Sequence, residues 1–216
     1  GAEGASDIIS IYFQIMMEIE DDEMEENGIC STDGTNGFGS MKRQQVQLGL
    51  EMFLPEKLQW MKLMFWRYHK NASVLFYRSP KGVLYEIYVT TGFVQRENFS
   101  CFWYALGQAP SFKIMMEEFG RYKVKSLPFV DDVPFLVKTR KRVKINDHPT
   151  LMEFEWAKPG ADCPLGKAVM HRWAQLAREQ MGVDVKLEGK NKNVAFLPNA
   201  SADDIEEFGD INVVKD

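Results

Sequence analysis

Two runs rich in β-branched and aromatic residues, Val74–Tyr77 and Val83–Val89, stand either side of Ser79-Pro80-Lys81-Gly82. Proline presets φ and glycine accepts φ > 0, so the pattern predicts a β-hairpin over 72–91, with the flanking segments covering it. Upstream, Val46, Leu48, Leu50 and Met52 alternate with Gln45, Gln47, Gly49 and Glu51, which predicts a strand. Leu58, Trp60, Met61, Met64, Phe65 and Tyr68 follow Pro55 at helical spacing and predict a core-facing helix over 55–69. Downstream, Phe99–Leu106 reads as a third strand that makes a meander with the hairpin. Pro110 reads as the opening of a helix over 110–120, and Leu151–Trp156 as a further strand. Leu165, Val169, Trp173 and Leu176 form the apolar stripe of a helix over 164–181, and 183–187 and 193–197 read as closing strands. The expected fold is α+β over 41–198: a mixed or antiparallel sheet with three helices packed on it, preceded by an N-terminal amphipathic segment.

That segment, residues 7–27, has a broad apolar face, with Ile8, Ile11, Tyr12, Ile15, Met16 and Ile19, followed by the acidic run Glu20–Glu26. Such a face must be buried somewhere. It reads as a helix lying in a groove, as an extended strand added to a partner's sheet, or as the first core helix of the domain. Residues 28–40, GICSTDGTNGFGS, have the composition of a flexible linker. Gly39-Ser40-Met41 also has the form of a cloning scar before a start codon, in which case 1–27 is a fused partner peptide.

Charge changes this picture. The formal net charge is -5, but residues 1–40 carry -10 and residues 199–216 carry -5, leaving +10 on 41–198. A basic body between an acidic segment and an acidic tail points to an anionic partner. The densest basic run lies in Val133–Ile145. Read as one strand, it sets Lys138, Arg140, Arg142 and Lys144 on a single face, an arrangement that calls for an anion nearby.

Lys167-Ala168-Val169-Met170-His171, with Ala174, Gly182, Gly189 and a strand ending at Leu197, resembles the R-x-x-x-H domain family, single-stranded nucleic-acid-binding modules. The resemblance covers roughly 164–198. It implies that Lys167 and His171 share a helical face and hold a phosphate. Lysine stands where that family has arginine, which removes the bidentate fork.

No phosphate loop, Cys-x-x-Cys pair or nucleophile elbow is present, so no catalytic residue, metal or cofactor is expected. Asp147-His148 reads as a turn before Pro149. Cys30, Cys101 and Cys163 are too few and too widely spaced for a disulfide framework, which indicates a reducing intracellular compartment, nuclear or cytoplasmic. No run is long and apolar enough for a membrane span. The expected function is a non-enzymatic protein-interaction module whose basic domain receives a short apolar-acidic segment like 7–27. The alternative is a domain for RNA or single-stranded DNA using the basic strand and the Lys167/His171 helix; an enzyme with an unrecognised site is the third reading.

Overall fold

A strand buried on both edges needs a hydrogen-bond partner on each side, and strand β1 (Asn27–Asp33) has both. It pairs antiparallel with β5 (Asp132–Lys138) along its whole length, Asn27 opposite Lys138 and Asp33 opposite Asp132. On its other side it pairs antiparallel with β8 (Val194–Phe196), Cys30 opposite Ala195. The computed structural model describes residues 26–69, 72–93, 99–126, 128, 132–188 and 193–215. Within them the main sheet has the order β4-β5-β1-β8-β9, with β4 at Lys125–Ser126 and β9 at Asn212–Val214. Only the β8–β9 pairing is parallel. Two smaller sheets stand apart: β2 (Ser73–Arg78) with β3 (Leu84–Val89), and β6 (Arg142–Lys144) with β7 (Asp162–Pro164).

The helices are α1 (Gly37–Ser40), α2 (Arg43–Phe53), α3 (Trp60–His69), α4 (Ser100–Phe119), α5 (Leu165–Leu176) and α6 (Ala202–Phe208). The fold is α+β, as the pattern predicts. Helix α5 lies on the sheet and continues into a π turn over Ala177–Met181. Gly166 allows the close approach: a Cβ there would stand 2.8 Å from Cys30 Sγ. Trp173 is buried between Phe112 of α4, stacked at 4.6 Å, and Phe135 of β5, edge-on at 5.8 Å. Arg172 ties α5 to α4 by donating at 2.9 and 2.7 Å to both carboxylate oxygens of Glu118. This fork is 8 % exposed at the arginine. Removing one partner of such a pair leaves a buried charge and costs about 3–5 kcal/mol.

Several expectations are corrected. Residues 28–40 are not a linker: they hold the middle strand of the sheet and a helical turn, and Met41 is fully buried. The polar residues that resemble a linker are used inside, with Asn27 and Thr32 buried and the Thr32 hydroxyl donating to the Val133 carbonyl. The acidic tail is likewise part of the fold. Ser201 and Asp204 form a capping box that starts α6, Phe208 and Ile211 are buried, and β9 joins the sheet. Residues 45–52 are helical. Gln45, Val46, Gly49 and Leu50 face inward while Leu48 and Met52 point out, so the alternation along the chain is incidental. The run Phe99–Leu106 is the first half of a 20-residue helix and not a strand, and Pro110 sits inside that helix. Residues 149–153 form a 3-10 turn in place of the expected strand, and 183–187 contribute only the Asp184–Thr35 bridge.

Pro110 has no N–H for the Leu106 carbonyl one turn back. That carbonyl is turned toward α2, where Gly49 leaves room: a Cβ at Gly49 would meet Leu106 O at 1.9 Å. Gly49→Ala should therefore force the two helices apart and lower stability by about 1–3 kcal/mol, read as a fall in the denaturation midpoint. Gly120→Ala is the control, because Gly120 has φ -57 and nothing within 4 Å of an added Cβ. It should be neutral or slightly stabilising.

Candidate functional site

Two concave surfaces are built by these elements, one beside α3 and one beside α5.

The first begins with the hairpin. β2 and β3 form the expected hairpin, with Tyr77 opposite Tyr85. Among the described residues the expected cover is not formed: Val74, Leu75, Phe76, Tyr77, Leu84, Tyr85, Ile87 and Tyr88 are all exposed, on both faces of the ribbon. A lone two-stranded ribbon is marginal in water. Its base is held by Arg43, whose guanidinium donates to the carbonyls of Gly92, His69 and Val89 and to the Ser73 hydroxyl at 3.2–3.4 Å. Helix α3 buries Met61 and Phe65, as a core-facing helix should, but turns Trp60, Leu63 and Trp66 outward, with Leu63 67 % exposed. Between α2, α3 and the hairpin base lies a cavity of about 450 Å³, floored by Leu50 and Phe65 and edged by Arg43, Gln47, Lys62 and Trp66. His69 closes it, packed edge-on against Phe93 and 4.9 Å from Phe65, which itself meets Trp103 at 5.2 Å. Burial, and then the Arg43 charge, hold the His69 imidazole down at about 4.

The second surface contains Lys167 and His171, which the structure does bring together one turn apart on α5. Lys167 Nζ stands 4.6 Å over the Trp156 ring and donates to the Glu207 carbonyl. Burial lowers the Lys167 ammonium below the usual lysine range. His171 lies 5.0 Å from Trp156 and 5.4 Å from Phe154, two rings that stack on each other at 9°. Burial, and then the Lys167 charge, bring His171 to about 4. These groups line a cavity of about 610 Å³ completed by Val185, Leu187, Phe208 and Ile211. Phe154 and Trp156 had no chemical signal in the sequence. They sit in an irregular segment and reach His171 only through the tertiary fold.

The basic strand face does not form. Thr139 and Arg140 make a turn, so β5 ends at Lys138 and β6 starts at Arg142, and the alternation is broken. Lys138 is buried, while Arg140 and Lys144 are exposed. Arg142 is held by three carboxylates, Asp162 at 3.0 Å, Asp204 at 3.3 Å and Glu207 at 2.8 Å, and its pKa is raised by Glu207 first and then Asp162. His148, in the turn before Pro149, is buried, stacks on Phe119 at 5.1 Å and approaches Arg121 and Tyr122 through Nε2 at 3.0 and 3.1 Å. The segment carrying Ile8, Ile11, Tyr12, Ile15, Met16 and Ile19 lies outside the described residues.

No family model matches the chain, and no curated protein sequence matches it. Solved structures do. One is titled a structure of telomerase from Candida albicans in complex with a TWJ fragment of telomeric RNA, with TM-score 0.54 and 11% identity over 92% of this chain and 31% of that chain. Another is apo telomerase from Candida tropicalis truncated from its C-terminal domain, with TM-score 0.57 and 8% identity over 94% of this chain and 36% of that one. At these identities the likeness is one of fold, and this chain spans about a third of the length of those two. No helix among the described residues is long and apolar enough to cross a membrane.

Both low histidine values bear on stability. His69 and His171 sit near 4 when folded and near 6.5 when unfolded, so as pH falls the unfolded chain takes up protons first. Stability from these groups is full above about 6.5 and is lost as pH falls from there toward 4. Melting temperature should be level at neutral pH and decline through that window. His69→Phe with His171→Phe, which keep ring packing without a titrating group, should reduce it, the remainder coming from His148, whose imidazole burial also lowers. A decline confined to pH below 4 would show that these imidazoles do not set the acid sensitivity.

Proposed function

We propose that this chain is a non-enzymatic interaction module that takes a short apolar-acidic segment into the groove between α2, α3 and the hairpin base. The observation that carries this is that the apolar side chains of the ribbon and Trp60, Leu63 and Trp66 of α3 are all exposed. Exposed apolar surface of this kind marks interaction sites, and a bare ribbon edge adds a strand readily. The chemistry of the occupant follows from the rim: Arg43 and Lys62 outweigh Glu51 at the groove and, with Arg67, Arg78 and Lys81 on the neighbouring elements, favour acids beside an apolar run. Residues 7–27 have that composition, and tethering gives such a segment an effective concentration on the order of millimolar.

The test is a titration of the full chain with a labelled 7–27 peptide. Ile15→Asp in the chain should free the groove from its own segment and tighten peptide binding about tenfold. Lys62→Glu and Leu63→Asp should each weaken it by about fivefold or more. Peptide binding that neither groove variant changes would overturn the reading.

A second reading, binding of single-stranded nucleic acid, is favoured by the pairing of Lys167 and His171 on one face of α5. The fold likeness to a telomerase structure in complex with a fragment of telomeric RNA supports it too. It would use α5, with Arg140 and Lys144 as exposed cations, because Arg142 is already neutralised. On this reading Lys167→Ala lowers affinity for a single-stranded oligonucleotide at low salt, whereas Arg142→Ala acts mainly on melting temperature.

A further inference from the structure

We infer that the cavity beside α5 is a slot for a single nucleobase with its sugar, its ring held against the Phe154–Trp156–His171 cluster. Its volume of about 610 Å³ falls in the range of small-molecule sites, roughly 300–1,000 Å³. Part of the lining is aromatic, with three rings within 5.5 Å of one another, and part is aliphatic, from Val185, Leu187 and Ile211. A planar, weakly polar ligand satisfies both parts, because base stacking on aromatic side chains is tolerant of base identity.

The polar groups favour a base over a phosphate tract. His171 makes ring contacts and no hydrogen bond to another described residue, and burial keeps it uncharged at neutral pH. A neutral imidazole presents one donor and one acceptor, the combination found along a base edge; an imidazolium would present donors only. The charged lining balances. Lys167, Arg178 and Lys186 face Glu179, Glu188 and Asp210, and Arg178 is already paired with Asp184 at 3.0 Å. A polyanion gains little from such a lining. Carboxylates suit sugar hydroxyls and exocyclic amino groups, and Lys167 and Lys186 suit one phosphate at most.

The inference rests on the nucleic-acid reading only for where the base comes from: a free nucleoside or nucleotide, or one residue of a single strand. The full chain would be titrated with adenosine, uridine, their monophosphates and hexanucleotide single strands, at about 50 and 200 mM salt, by calorimetry and ligand-observed NMR. A nucleoside or mononucleotide should bind at micromolar to millimolar concentration, with less than about threefold change between the two salts. His171→Ala and Leu187→Trp should each weaken binding about tenfold, one by removing the base-edge partner and the other by filling the slot. Melting curves identify any variant that fails to fold, and Trp156→Phe, which keeps a ring, should retain most of the affinity. A hexanucleotide that binds far more tightly with the same variant sensitivity makes a strand the source; equal affinity for the monophosphate makes it a soluble nucleotide. Oligonucleotide binding that is salt-sensitive and unmoved by these variants overturns the slot and leaves the nucleic-acid reading standing. Failure of every nucleoside, nucleotide and oligonucleotide to bind overturns both.

Discussion

The sheet depends on β1 holding two neighbours at once. Seven backbone pairs run to β5 and three to β8, and no other described strand links the two halves. Its side chains leave little freedom of register. Gly28 lies under Leu197 and the Phe196 carbonyl, where a Cβ would come within 2.6 and 2.9 Å, and Cys30 fits against Gly166. A slip of one residue would turn Cys30 and Thr32 out of the core and drive Ile29 into the space kept by Gly166. Helix α5, and with it Lys167, His171 and Trp173, takes its position from that fit.

The charge asymmetry of the sequence acquires a physical use. The basic middle and the acidic C-terminal segment meet inside one fold, where Asp204 and Glu207 of α6 share Arg142 with Asp162. Much of the attraction expected toward an outside anion is spent there. What remains at the surface is divided by chemistry. The groove beside α3 pairs cations with an apolar floor, whereas the α5 cavity pairs aromatic rings with balanced charge. The two share no lining residue, so occupancy of one need not displace the other.

The hairpin was legible because its turn residues and β-branched runs agree, and α5 because its stripe recurs over three turns. Lys167 and His171 were legible as neighbours since four residues make one turn. Helix α2 was not: Val46 and Leu50 satisfy both a period of two and a spacing of four, and nothing local separates the readings. The start of α4 failed for the same reason, a short apolar run being as good a buried helix as a strand. Pro110 misled because its cost is absorbed by Gly49, a residue 61 positions earlier. β1 was hidden by composition, since its asparagine and threonine are buried and the threonine hydroxyl bonds to the Val133 carbonyl rather than to solvent. Trp156 and the α3 groove exist only once distant segments have met.

The three cysteines differ in a way that makes the molecule its own reporter. Burial pushes the Cys30 thiol up to about 12 and the Cys163 thiol up to about 11, so neither offers thiolate at neutral pH. Cys101 is exposed in the first turn of α4. A maleimide dye would thus attach at a single one of the three without any mutation, on the exposed side of α4 and away from the buried Trp103 face.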